Sequence, residues 1–313
     1  MSKPILLPSR SYPIGRFFFI LLIALLAIPI QAEEASTAAD LSIQAANRLQ
    51  NFYFQLRNQT KECKHRLANG FFNTDDSSGT TSYCANSNKK PSVIWIQGKK
   101  GSLSNMDIDC DGIQGGSGDD GRCSVELSPD YQAETAFKDT IQSYNVGISD
   151  LNSYVHPYVV FGNVGSKKGW KKFDPEKYGM KPLSVMAVLC GGGKIVWGVW
   201  GDINGDDGDK PVVGEVSIAL GTACYGERNI TGGNGYDGED VLYLGFTGDE
   251  AVPGGGGANW TAGDFEGFEK SIRGLGERMV LKMLSEDSGG RERGVGVGMA
   301  VGVVVLLAGW MVL

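Results

Sequence analysis

The sequence predicts a mainly β protein, barrel- or sandwich-like, with an N-terminal and a C-terminal helix and only a minor α+β character. Six short runs rich in Val, Ile and aromatic residues follow one another from residue 92 onward: SVIWIQG, HPYVVFG, LSVMAVLC, KIVWGVWGD, VVGEVSIAL and DVLYLGFTG. Clusters of Gly, Asn and Asp separate them, as turns separate strands. Helical periodicity is confined to one stretch near each end.

Taken in order, residues 1–32 read as a signal peptide, with Lys3, Arg10 and Arg16 before the apolar core FFFILLIALLAIPI and Ile30-Gln31-Ala32 as the cleavage site. An uncleaved signal anchor is the alternative. Residues 33–59 form an N-terminal helical segment, because Leu41, Ala45, Leu49, Phe52 and Leu56 recur at helical spacing over 37–57. Residues 60–284 are then a single catalytic domain, large enough to bury one core. Within it, 70–90 is rich in Asn, Ser, Thr, Gly and Asp and reads as a loop. Gly191-Gly192-Gly193 marks a hairpin between two strand runs. Residues 264–284 read as a closing helix with Asp264 as N-cap, weakened by Gly274 and Gly276. Residues 285–313 carry small residues, a polar spacer and the apolar run VGVGMAVGVVVLLAGWMVL. That order fits a GPI-attachment signal with Ser288 as the attachment site, or else a membrane helix.

Six cysteines, Cys63, Cys84, Cys110, Cys123, Cys190 and Cys224, are an even number in an exported chain and predict three disulfides. Spacing leaves the pairing open; sequence neighbours such as Cys110 and Cys123 are the expected partners. No CxxC pair occurs and there are only two histidines, so a zinc cluster or a Ser-His-Asp triad is not expected. His156, before Pro157, reads as a structural hydrogen-bonding residue. Sequons at Asn58, Asn229 and Asn259 suit a glycosylated, secreted or extracellular protein. The formal charge of −7 disfavours a nucleic-acid partner and suits a cationic one.

Candidate chemistry lies in the acidic residues. Asp202 ends one strand run, an acidic turn follows, and Glu215 interrupts the next apolar run. A carboxylate inside an apolar strand needs a reason. Facing solvent is the plain one; a pair of carboxylates flanking a glycosidic bond is the functional one. Asp107, Asp109 and Asp111 alternate and would share one strand face, a costly crowding without cations. Asp-x-Asp-x-Asp-Gly also resembles the start of a calcium loop, but the twelfth position is Gly118 rather than Glu, and no metal site is assigned. Asp206 and Asp207 in the turn, with Trp200 as a stacking aromatic, complete the candidate substrate-binding set.

The motifs MDIDCDG, HPYVVFGN, FDPEKYG, LSVMAVLC, VWGDINGDD, VGEVSIAL and DVLYLGFTGDEAVPG, in this order over about residues 60 to 284, resemble the fungal endo-chitosanases. The resemblance implies endo-hydrolysis of β-1,4 bonds between D-glucosamine residues in chitosan, with inversion and no cofactor. It also implies that the Asp of WGD and the Glu of VGE, here Asp202 and Glu215, are the essential carboxylates. On this reading Glu215 is the general acid and Asp202 the general base. Chitosan is the expected partner of a monomer whose C-terminal tail attaches it to membrane or wall. A calcium-stabilised non-catalytic wall protein and an inactive polysaccharide-binding module are the competing readings.

Overall fold

The computed structural model describes residues 38–73, 78–128, 131–206 and 208–288. The expected signal peptide and the chain after Ser288 lie outside the described residues. A helix α1 covers 38–57 and is followed by β1 (His65–Phe71), β2 (Thr81–Ala85), β3 (Val93–Gln97) and β4 (Ser104–Asp109). Then come α2 (Lys138–Tyr144), β5 (Tyr158–Asn163), β6 (Val185–Leu189), β7 (Ile195–Asn204), β8 (Glu215–Ser217), α3 (Ile218–Tyr225), β9 (Tyr236–Phe246) and α4 (Phe265–Ser288). Among the described residues no helix is long and apolar enough to cross a membrane.

The strands follow the order β1-β2-β3-β9-β4-β8-β5-β7-β6, and β6 pairs back onto β9. Six strands, β9-β4-β8-β5-β7-β6, therefore close into a barrel, and β3, β2 and β1 extend from it as a flap of sheet. Pairing is parallel for β4 with β8 and for β5 with β7, and antiparallel between the other neighbours. The core built around the barrel is filled by Val, Leu and aromatic side chains, among them Val188, Trp200, Tyr158 and Tyr243. Ala45, Leu49, Tyr53 and Leu56 bring α1 into the same core, while Leu41 at the start of the stripe is 44% exposed. Helix α4 opens as expected, with Asp264 Oδ1 accepting from the Gly267 amide at 2.8 Å. Gly276, which weakens a helix in isolation, is required here. A Cβ at that position would stand 2.2 Å from the Trp197 ring, so glycine is what lets α4 lie on β7.

Three disulfides form, Cys63–Cys84, Cys110–Cys123 and Cys190–Cys224, each between sequence neighbours. The hairpin at Gly191–Gly193 joins β6 to β7, closed by the Cys190 amide on the Lys194 carbonyl at 2.9 Å.

Several expectations are corrected. Part of the 70–90 loop is β2, a buried strand held to β1. β1 hid because its pairing slips twice, breaking the alternation that marks a strand. The run VVGEVSIAL is a strand for only three residues. Ser217 then caps α3, its Oγ accepting from the Leu220 amide. Residues 218–223 of α3 are buried all round, so no amphipathic pattern distinguishes it from a strand. β7 and β8, taken from the sequence as neighbours across a turn, are separated by β5.

Candidate active site

That inserted strand organises the site. Val160 of β5 pairs with Asp202 of β7, and Val159 pairs with Val216 of antiparallel β8, which sets Glu215 opposite Val160. Glu215, Val160 and Asp202 therefore form one row across three strands, with the two acids about 10 Å apart at the backbone, two strand spacings. All three line a cavity of about 420 Å³.

Local sequence aims each acid. In β7 the register slips between Trp200, opposite Val159, and Asp202, opposite Val160. This bulge at Gly201 turns two residues that strict alternation would place on one face toward opposite faces. Asp202 points to the cavity, and Trp200 goes into the core with 0% exposure. The expectation that Trp200 stacks on substrate is thus overturned. Its ring packs edge-on against Phe137, and its Nε1 donates to the Asp202 carbonyl at 2.9 Å, fixing the backbone beneath the acid. The aromatic on the cavity wall is instead Tyr131. Glu215 follows Gly214, whose φ of +102° favours glycine. A Cβ there would meet Ser104 Oγ at 2.6 Å and Asn105 Oδ1 at 2.7 Å. The Gly214 carbonyl accepts from the Asp107 amide and the Tyr243 hydroxyl, which locks the start of β8.

Asp202 is 6% exposed. Its Oδ1 accepts from the amides of Ala136 and Ile203 at 3.0 and 2.7 Å, and its Oδ2 is buried without a hydrogen bond. Burial, with the charges of Asp111 and Asp150 behind it, pushes Asp202 up to about 7 against the pull of the two amides. Asp150, a residue the sequence did not single out, is buried. It accepts from the Thr135 amide and hydroxyl at 2.8 and 2.7 Å, and so holds the segment whose Ala136 amide reaches Asp202. No local pattern marks this pair; only the fold brings 135 to 150 and 136 to 202.

Asp109, Asp111 and Asp202 each place a carboxylate oxygen within 4.8 Å of the others. Burial, then Asp111 and Asp202, push Asp109 well above the usual carboxylate range, since crowded charges are costly away from water. A compact cation, inorganic or organic, would relieve that cost. Asp109 and Asp111 line the cavity, whereas Asp107 lies off its wall and accepts from Asn105 Nδ2 at 2.9 Å. Asp107 and Asp109 belong to strand β4, so the run is not a calcium loop of the helix–loop–helix kind. Asp206 also borders the cavity, but its carboxylate is taken up by the Ser166 amide and hydroxyl and by the Lys167 amide at 2.9 Å, and these bonds hold it below the ordinary range. Asp207 lies outside the described residues. His156 is structural as expected. Its Nδ1 accepts from the Asn152 amide and its Nε2 meets the Trp260 carbonyl, each at 2.9 Å.

The sequence pattern of the fungal chitosanases of glycosyl hydrolase group 75 matches residues 106–282, the stretch that supplies the site. An endo-chitosanase of Aspergillus fumigatus is 41% identical over 253 residues, covering 80% of this chain and 98% of that protein. An endo-chitosanase of Aspergillus oryzae is 41% identical over 227 residues, covering 72% of this chain and 86% of its own. The chain belongs to the group 75 fungal chitosanases. It is a glycoside hydrolase, which removes the non-catalytic wall protein and the inactive binding module as readings of it.

Proposed function

We propose that this chitosanase-family enzyme cuts β-1,4 bonds between glucosamine units inside chitosan, using Asp202 and Glu215 as an inverting acid–base pair. The observation that carries this reading is the Glu215–Val160–Asp202 row on the wall of a cavity that also holds Asp109 and Asp111. An inverting pair stands about 6.5–9.5 Å apart, leaving room for the attacking water, and two strand spacings support that separation.

The burial of the two acids favours roles opposite to those expected from the sequence. Asp202 is the buried group that keeps its proton near neutral pH, which suits the general acid that protonates the leaving oxygen. Glu215 is half-buried at the first residue of β8, with its Oε2 shielded from solvent, and as the more exposed of the two acids it suits the base. Asp109 and Asp111 receive the ammonium of a bound glucosamine, and Tyr131 offers a ring to the sugar. The reaction needs no cofactor on this reading.

The protein acts outside the cell as a monomer. The 1–32 segment supports export, and Asn58, Asn229 and Asn259 are all exposed and open to glycosylation. Attachment through the C-terminal tail fits a helix α4 that reaches Ser288. The test is replacement of Asp202 by Asn and of Glu215 by Gln. Reducing-end release from chitosan should fall by about a hundred- to ten-thousandfold in each folded variant. Wild-type rates in either would remove that residue from the mechanism.

A further inference from the structure

Part of the cavity wall belongs to no strand or helix. It is the segment 131–136, which supplies Tyr131, Gln132, Glu134, Thr135 and Ala136 to the lining. Such a segment has no ladder to hold it, so its place depends on separate bonds. One end is tied to the acidic floor. The Gln132 amide donates to Asp111 Oδ1 at 2.5 Å, and the Gln132 carbonyl accepts from the Gly112 amide at 3.1 Å. The other end is tied by Asp150. Its Oδ2 accepts from the Thr135 amide at 2.8 Å, and its Oδ1 accepts from the Thr135 hydroxyl and the Leu151 amide, each at 2.7 Å. Asp150 and Thr135 are buried, whereas Glu134 and Ala136 on either side of Thr135 are exposed. Asp150 lies behind the wall rather than on it. The next residue along, Ala136, gives its amide to Asp202 Oδ1 at 3.0 Å, and Ile203 gives its own to the same oxygen at 2.7 Å. Two N–H donors on Oδ1 leave Oδ2, which has no hydrogen bond, as the oxygen that carries a proton.

We infer that Asp150 is a positioning residue for the reaction: it touches no substrate, but it clasps Thr135 so that the Ala136 amide stays on Asp202 Oδ1 and Oδ2 is kept for the proton delivered to the leaving oxygen. The inference rests on Asp202 being the general acid. Asp150 acts on Asp202 in two ways of opposite sign. Through the clasp it presents the Ala136 amide, which favours the carboxylate. Through its own charge it opposes a second negative charge nearby. The other ionisable groups around Asp202 are Asp109 and Asp111 of the floor, Glu215 at the start of β8, Tyr158 of β5, Asp206 beyond β7, and Glu134, which is paired with Lys138 at the start of α2. The acids among them line the cavity, so altering one also alters a substrate contact. Asp150 can be altered from behind the wall, which makes its influence separable.

The experiment measures kcat, KM and the pH profile of kcat/KM on chitosan for Asp150→Asn and Thr135→Val, with melting curves to show that each is folded. Asparagine keeps an acceptor for the Thr135 amide and removes the charge. The alkaline fall of kcat/KM should then move to lower pH, by roughly half to one pH unit. Valine keeps the shape of Thr135 and the charge of Asp150 but removes the hydroxyl bond, so the Ala136 amide is held less well. The alkaline fall should move to higher pH, and kcat should drop about three- to tenfold with KM nearly unchanged. Opposite shifts are the signature of a clasp that acts on Asp202. A merely structural clasp would lower the melting temperature and leave both alkaline limbs at the wild-type pH, and that result overturns the inference. So do shifts in the same direction. Should Asp150→Asn not fold, Thr135→Val decides by whether its limb rises or stays. If Asp202→Asn keeps the wild-type rate, the acid assignment itself fails, which is a separate result read from a variant that leaves the clasp in place.

Discussion

Asp202 and Asp206 stand four residues apart and border the same cavity, yet their environments oppose each other. Asp202 is buried on the floor, has one oxygen with no hydrogen bond, and is pushed up to about 7. Asp206 lies at the exposed rim, is bound by Ser166 and Lys167, and is pulled below the ordinary range. The same side chain thus keeps its proton toward neutral pH in one place and anchors a loop as a carboxylate in the other. Burial and donors decide which, and residue type alone does not.

The comparison breaks most sharply by substitution. Asp202→Asn should cost two to four orders of magnitude in kcat, whereas Asp206→Asn, which loosens the loop at the rim, should register mainly in KM; steady-state kinetics on chitosan separate the two. An equal loss of kcat in both would erase the distinction between floor and rim. Next in size is Gly214→Val. It forces a branched side chain into a positive-φ position against Ser104 and Asn105, displacing Glu215. We expect a tenfold or greater loss of kcat together with a lower melting temperature, and a variant of unchanged activity would mean that Glu215 does not depend on this turn.

The pH profile sharpens the contrast further. As general acid, Asp202 must be protonated, so kcat/KM should fall as pH rises through about 7, tenfold per unit beyond it. A profile flat to pH 9 would exclude it from that role. A separate effect, on stability rather than on rate, comes from His156, where burial acts with the opposite sign. Desolvation lowers this base to about 4, and the folded state keeps it neutral. The unfolded chain therefore takes up a proton first, and stability is lost as pH falls from about 6.5 toward 4, by up to about 3 kcal/mol. Urea titrations at pH 7 and pH 4 should show a shallower loss for His156→Gln than for the wild type.

The strongly patterned parts of the fold are legible without coordinates. β3, β5, β6, β7 and β9 announce themselves by apolar runs between turns, and both terminal helices by their periodicity. The rest is hidden for physical reasons. β1 slips register twice, β2 sits in a turn-rich context, and α3 is buried on every side. The same holds at the site. Asp202, Glu215, Asp109 and Asp111 reach the cavity as their residue type suggests. The place of Trp200 was misread because a one-residue bulge at Gly201 reverses the alternation. Asp150 and Thr135 were invisible because their contribution is a contact between distant segments.

Inversion requires that the acids of β7 and β8, two strand spacings apart on either side of Val160, leave a water-sized gap opposite the leaving group. Proton NMR of the first product from chitosan tests this most directly. With inversion, the newly formed reducing end should appear as the α-anomer before mutarotation. A first-formed β-anomer would mean a covalent intermediate and a closer pair, and would contradict it.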